Sequence, residues 1–201
     1  MTVFRSVHRI VLGTALVMVV AGGCGSASVQ SDPSGASSTG STPTTASAPP
    51  LAQVGETLTN RGVQLTVKAV RSAETIEMNQ SGFRPGSGYE KYTEVQPDPG
   101  GKFVIVETHV VNKGRRSMDL TCSLPITTAV ADIEDRMFDP IQDLYQLRGN
   151  PECNKLLQPG FESDMTYVFM VPATATVVRF GFYDSTDFDG NVEWSRFAIS
   201  A

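Results

Sequence analysis

The chain has 201 residues, 40% of them hydrophobic, with 16 Lys and Arg against 21 Asp and Glu and a formal net charge of −5. That is room for one domain with a packed core, and the wrong charge for nucleic acid as the main partner, which would need a basic footprint. The chain carries 2 histidines, His8 and His109, of which His8 falls in the leader described next. A multi-histidine metal site is therefore excluded, and neither a catalytic set nor a cofactor is expected.

Arg5 and Arg9 precede an apolar run from Ile10 to Ala21. The run is about a dozen residues, short of the roughly 20 that a bilayer-spanning helix needs. Short basic then short apolar is the form of a secretory signal. Val20-Ala21-Gly22-Gly23-Cys24 follows, and small residues before a cysteine resemble the lipobox of bacterial lipoproteins. The resemblance implies a signal peptide over 1–23, acylation of Cys24 and anchorage on the extracytoplasmic face of the cell membrane. Ala21 stands where that family prefers a branched residue, and the alternative is plain secretion with cleavage near Gly25-Ser26-Ala27.

Residues 24–50 read as a tether. Of the 26 residues from Gly25 to Pro50, 23 are Ser, Thr, Ala, Gly or Pro, and Asp32 is the one charged residue. Such a composition cannot bury enough apolar surface to offset its ordering entropy, so the segment is expected to be disordered. As a coil it would span about 25–30 Å.

The folded domain is expected over 51–201, as strands without long helices. Glu56–Thr59 and Val63–Ala69 flank the turn Asn60-Arg61-Gly62. Val63, Leu65, Val67 and Ala69 alternate with Gln64, Thr66 and Lys68, the pattern of a half-buried antiparallel strand. From Glu74 to Gly101 no periodicity is evident, which predicts a long loop. Within it Phe83, Tyr89 and Tyr92 are candidate partner-contact aromatics, with Arg84 and Lys91 as polar handles. Phe103–Val111 begins apolar on both faces and should be central, ending at the turn Asn112-Lys113-Gly114. Ile126–Ile133 reads as a further strand. Met165, Tyr167, Phe169 and Val171 share one face of the next, and Val178, Phe180 and Phe182 share another. Val192–Ile199 closes the chain, with a bulge expected where alternation breaks near Arg196. Seven to eight short strands separated by turn signals predict an all-β antiparallel sandwich.

Cys122 and Cys153 are an even pair in an exported chain, which reads as a structural disulfide. The bridge would pin the irregular 134–156 region, where Leu144, Tyr145 and Leu147 need somewhere to pack. No Cys-x-x-Cys and no neighbouring histidine points to a redox or metal role.

Val54-Gly55-Glu56-Thr57-Leu58 and Gly101–Glu107 lead into Val111-Asn112-Lys113-Gly114. Leu157-Gln158-Pro159-Gly160-Phe161 and Phe169-Met170-Val171-Pro172 follow in order. This set resembles the family called domain of unknown function 4352, found in exported bacterial lipoproteins and related to an immunoprotective extracellular antigen of actinobacteria. The resemblance spans about Leu51 to Asp184. It implies an immunoglobulin-like sandwich and brings no catalytic residues to carry over. The motifs are structural: two are turns, and Val-Pro ends a strand because proline lacks the ladder donor.

His109 and Glu107 share a strand face, but no Gly-x-Ser-x-Gly elbow accompanies them. Asp184, Asp187, Asp189 and Asn191 offer alternating oxygen ligands that suit Ca²⁺, or else form a hairpin turn. Two function classes remain. One is a non-enzymatic envelope module binding a protein, glycan or lipid. The other is a hydrolase with an unusual site around His109 or the clustered acids, with carriage of an apolar ligand between the sheets as a third possibility.

Overall fold

The computed structural model describes residues 51–186, 190 and 192–201. The signal segment, Cys24 and the tether to residue 50 lie outside the described residues, as do Asp187, Asp189 and Asn191. What is described is all-β, built on two four-stranded sheets.

The first sheet has the order β1 (Thr57–Asn60), β2 (Val63–Ala73), β5 (Gly101–Asn112), β10 (Glu162–Pro172). The second has the order β12 (Ser195–Ala198), β11 (Val177–Asp184), β7 (Ile126–Asp132), β8 (Met137–Phe138). Two smaller ribbons pair β3 (Ile76–Asn79) with β4 (Tyr92–Val95), and β6 (Met118–Asp119) with β9 (Leu156–Leu157). A single 3₁₀ turn spans Leu144–Gln146. Every strand pair is antiparallel.

The two sheets pack as a β-sandwich. Met165, Tyr167, Phe169 and Val171 point inward from β10, all nearly fully buried. Tyr167 and Phe169 meet Phe180 of β11 with ring centroids 6.1 and 6.2 Å apart, a geometry aromatic pairs favour. Phe180 and Phe182 in turn pack on Phe197.

Strand β5 is central, as its composition predicts. Its inward residues Val104 and Val106 pair with Phe169 and Tyr167. Phe103 and Ile105 face the other way and are still buried. Burial on both faces is the reason for the double-sided apolar run, and Ile76 of β3, Leu144 and Leu147 are buried in the same core.

Four local expectations are corrected. Ala69 does not share the core face with Val67, because the β2–β5 register shifts between Val67 and Ala69. Lys68 is the extra residue, Ala69 turns outward, and Val70 takes its place against the core. In β11 a second register shift, between Val177 and Arg179, buries Val177 rather than Val178. No bulge occurs at Arg196, which pairs with Gly181 in unbroken register. Finally, the stretch from Glu74 to Gly101 is not one long loop. It folds as the β3–β4 hairpin, whose four-residue strands are too short to show periodicity.

The motif turns lie together at one end. Fully buried Asn112 donates from Nδ2 to the carbonyls of Arg116 and Leu157, and its Oδ1 accepts from Gly114 N–H. Lys113 N–H donates to the Gly62 carbonyl at 2.8 Å. Asp184 accepts from Gly62 N–H, and Asn60 Oδ1 accepts from Asp184 N–H. Side-chain amides and a carboxylate thus satisfy backbone groups where the strands end.

Candidate functional site

The β3–β4 hairpin carries the loop 80–91, and a single buried residue organises its base. Asn79 Nδ2 donates to the Phe83 carbonyl, while Asn79 Oδ1 accepts from Ser81 and Lys91 N–H. The loop tip folds on Glu90, whose carboxylate accepts from Gly86 N–H, Gly88 N–H and the Ser87 hydroxyl. Hydrogen bonds from its own amide and from the Gly86 and Gly88 amides hold Glu90 below the usual carboxylate range. Gly86 and Gly88 both have positive φ, which turns their N–H groups toward one anion.

On this frame Phe83 and Tyr89 stand outward, 55% and 74% exposed, with ring centroids 5.6 Å apart. Tyr92 does not join them. It sits on β4, half-buried, with the Arg148 guanidinium 3.9 Å over its ring and Arg148 paired to Glu77 at 3.1 Å. The structure therefore brings two of the three sequence-predicted contact aromatics together and gives the third to the seam between hairpin and 3₁₀ segment.

Beside Phe83 lies a cleft of about 320 Å³, walled by Asn79, Phe83, Arg84, Tyr145, Glu152 and Cys153. Arg84 and Glu152 close across it at 3.3 Å. The far wall is set by the disulfide, which joins Cys122 to Cys153 over 31 residues. Asp119, almost fully buried, fixes both partners. Its Oδ1 accepts from Thr121 N–H, Thr121 Oγ1 and Cys122 N–H, and its Oδ2 accepts from Asn154 N–H. Burial pushes the Asp119 carboxyl up, but the Cys122, Thr121 and Asn154 donors outweigh it and leave it below the usual range. Asp119 and the two cysteines stand close enough to suggest a metal, but both sulfurs are spent on each other.

Asn150 fastens the same wall to the sandwich. Its amide donates to the Leu144 and Thr166 carbonyls and accepts from Thr166 N–H at 2.7 Å, imitating a strand at the β10 edge. The sequence reading missed Asn79, Asp119 and Asn150. Their one signal is an Asx residue just before a turn, a pattern shared by many solvent-facing positions.

His109 lies on the open outer face of the first sheet and lines none of the described clefts. Its Nδ1 is 2.9 Å from Asp164 and its Nε2 is 3.5 Å from Glu162, while Lys68 reaches Asp164 at 3.1 Å. The hydrogen bond from His109, then that from Lys68, holds Asp164 below its ordinary value. Glu107 shares the outer strand face with His109, as the alternation predicts, and forms an ion pair with Arg71 at 3.7 Å. Of the acidic loop, Asp184 is described, and both its oxygens are engaged, with Gly62 and Thr186 N–H.

Residues 52–193 match the family described as Domain of unknown function (DUF4352). The chain belongs to that family. No curated protein matches it. Among solved structures, it resembles an uncharacterized β-sandwich protein from Clostridium difficile 630 at 12% identity, with 75% of this chain and 94% of that one covered and a TM-score of 0.47. A conserved hypothetical protein from Bacillus anthracis matches at 15% identity, covering 68% and 92%, with a TM-score of 0.45. The yjhA protein from Bacillus subtilis matches at 17% identity, covering 64% and 81%, with a TM-score of 0.40.

Proposed function

We propose that this chain is an extracytoplasmic lipoprotein, anchored through acylated Cys24, whose immunoglobulin-like sandwich serves as a non-enzymatic binding module of the cell envelope. The observation that carries the reading is the outward Phe83–Tyr89 pair on a loop stiffened by Asn79 and Glu90. Exposing two large rings has a hydration cost, and a preorganised loop lowers the entropy lost on binding. Aromatic anchors of this kind are the side chains most enriched at binding hot spots. The disulfide-pinned wall beside them adds Tyr145 and the Arg84–Glu152 pair as a polar rim. The tether composition of 24–50 suits presentation of such a module away from a membrane.

Two experiments test this. Cys24→Ala should move the protein from the detergent phase to the aqueous phase; equal partitioning of wild type and mutant removes the anchor. Crosslinking in the native envelope, followed by mass spectrometry, should capture a partner. Phe83→Ala with Tyr89→Ala should then abolish most of the capture at unchanged melting temperature. Undiminished capture would move the contact surface elsewhere.

A further inference from the structure

The outer face of the second sheet holds a groove of about 890 Å³, separate from the loop cleft. Its floor is made of the smallest side chains. Cross-strand rows place Ala129 beside Gly181, and Ala131 beside Arg179, with Met137 next in line on β8. Ala129 and Gly181 are themselves buried, so the open apolar surface of the groove is that of Ala131, Met137 and Trp194.

Position 181 is a glycine for a reason. A Cβ there would come within 2.9 Å of Cε3 of Trp194, so glycine lets the indole lie over the strand. Tyr183 holds the indole from the side, edge-on, with ring centroids 4.9 Å apart. The result is a fixed, half-buried aromatic wall beside a shallow floor. Around it stand Arg179, bonded to Asp135, together with Arg196 and Glu56. Two guanidiniums and two carboxylates balance, so the rim favours no net charge in its ligand.

We propose that this groove is a binding site for a neutral saccharide. A pyranose has an apolar C–H face and a polar periphery. The face matches the half-buried Trp194 indole and Ala131 beside it in the groove, and the hydroxyls match planar donor and acceptor groups around it. A peptide strand fits poorly. The groove crosses the pleated face, where the sheet's own backbone groups are already paired, so a peptide's N–H and C=O groups would find no ladder there. The ends of β12 give no open edge either: Ala52 N–H donates to the Arg196 carbonyl, and Ala198 N–H donates to the Ala52 carbonyl. This site is independent of the Phe83–Tyr89 loop and stands or falls separately.

Trp194 is the sole tryptophan, so intrinsic fluorescence reports this groove alone. Purified protein is titrated with maltohexaose, cellohexaose and mannohexaose, with hexaproline as the peptide control. At least one saccharide should shift Trp194 emission saturably, and hexaproline should not. Arg179→Ala should raise that Kd by about tenfold or more, from loss of a charged hydrogen bond. Tyr89→Ala should leave it within about twofold, since separate sites without shared partners act additively. Calorimetry on Trp194→Phe, with a thermal melt to confirm folding, should show the heat of binding lost. No response to any of the three saccharides overturns the proposal. So does a response to hexaproline alone, or saccharide affinity unchanged in both Arg179→Ala and a folded Trp194→Phe.

Discussion

Asp119 shows how one side chain can set a local structure. Four donors converge on a carboxylate that is 3% exposed, and they come from both sides of the disulfide. Asp119→Asn turns part of that acceptor into a donor facing donors, and should cost about 1–3 kcal/mol in urea unfolding at neutral pH. The pH dependence follows from the direction of its shift. A carboxyl held below its unfolded value of about 3.9 stabilises the fold fully above that value, and the contribution is lost as pH falls through the lower folded value. Wild type should therefore lose its advantage over the Asn variant on acidification toward pH 3; an unchanged difference would remove the argument. Tyr167 poses the opposite case. Its ring fills the core, but its hydroxyl is buried without a partner among the described residues, and burial pushes the phenol's pKa up. Tyr167→Phe should be neutral or stabilising by up to about 1 kcal/mol, because it removes an unpaid desolvation and no hydrogen bond. A clear loss of stability would mean that the hydroxyl has a bonding role after all.

At the scale of elements, close approach and crosslinking decide stability. The β1–β2 turn meets the turn after β5 so tightly that a Cβ on Gly62 would lie 2.9 Å from Gly114 Cα. Backbone cannot yield as a side-chain tip does, so Gly62→Ala should cost about 1–3 kcal/mol, read as a lower denaturation midpoint. Gly86→Ala disturbs only an exposed tip where nothing stands within 4 Å, and should cost less, chiefly through its positive φ. The Cys122–Cys153 bridge closes a 31-residue separation. The chain-entropy relation gives about 3.5–4 kcal/mol for such a loop. Replacing both cysteines with serine should lower the melting temperature by on the order of 10 °C. It should also loosen the 150–154 wall, seen as faster amide exchange there than in β5.

At the scale of the molecule, the described fold places its two aromatic surfaces on different supports. The Phe83–Tyr89 pair rides a hairpin fastened to the 3₁₀ segment through Met78, which bridges Leu147, and through Tyr92 beneath Arg148. Trp194 rides the outer face of the second sheet. Among the described residues the buried core runs from Val63 onward, with Ala52 and Leu58 packed against it. A chain starting at Leu51 should therefore melt within about 2 °C of the full-length protein, checked by calorimetry of both. A drop of several degrees would show that the segment before Leu51 contributes to the fold.

Local chemistry was enough to read much of this protein. Alternation in 165–171 predicted the inward face of β10, and the two-sided apolar run at 103–106 predicted a central strand, because side-chain period and burial are properties of the strand itself. The even cysteine pair and the turn residues at 60–62, 112–114 and 158–160 were equally legible. Register was not. The shifts at Lys68 and before Arg179 depend on the partner strand, so Ala69 and Val178 were placed on the wrong face. The β3–β4 hairpin was hidden because four-residue strands carry almost no pattern, and what stabilises them is packing of Ile76 and Met78 on residues about 70 positions away. The sites follow the same division. Phe83 and Tyr89 could be named from composition, but their pairing, the diversion of Tyr92 to Arg148 and the laying of Trp194 over Gly181 are contacts between distant segments. Only the tertiary structure decides those, since no local preference brings position 194 onto position 181 or position 148 onto position 92.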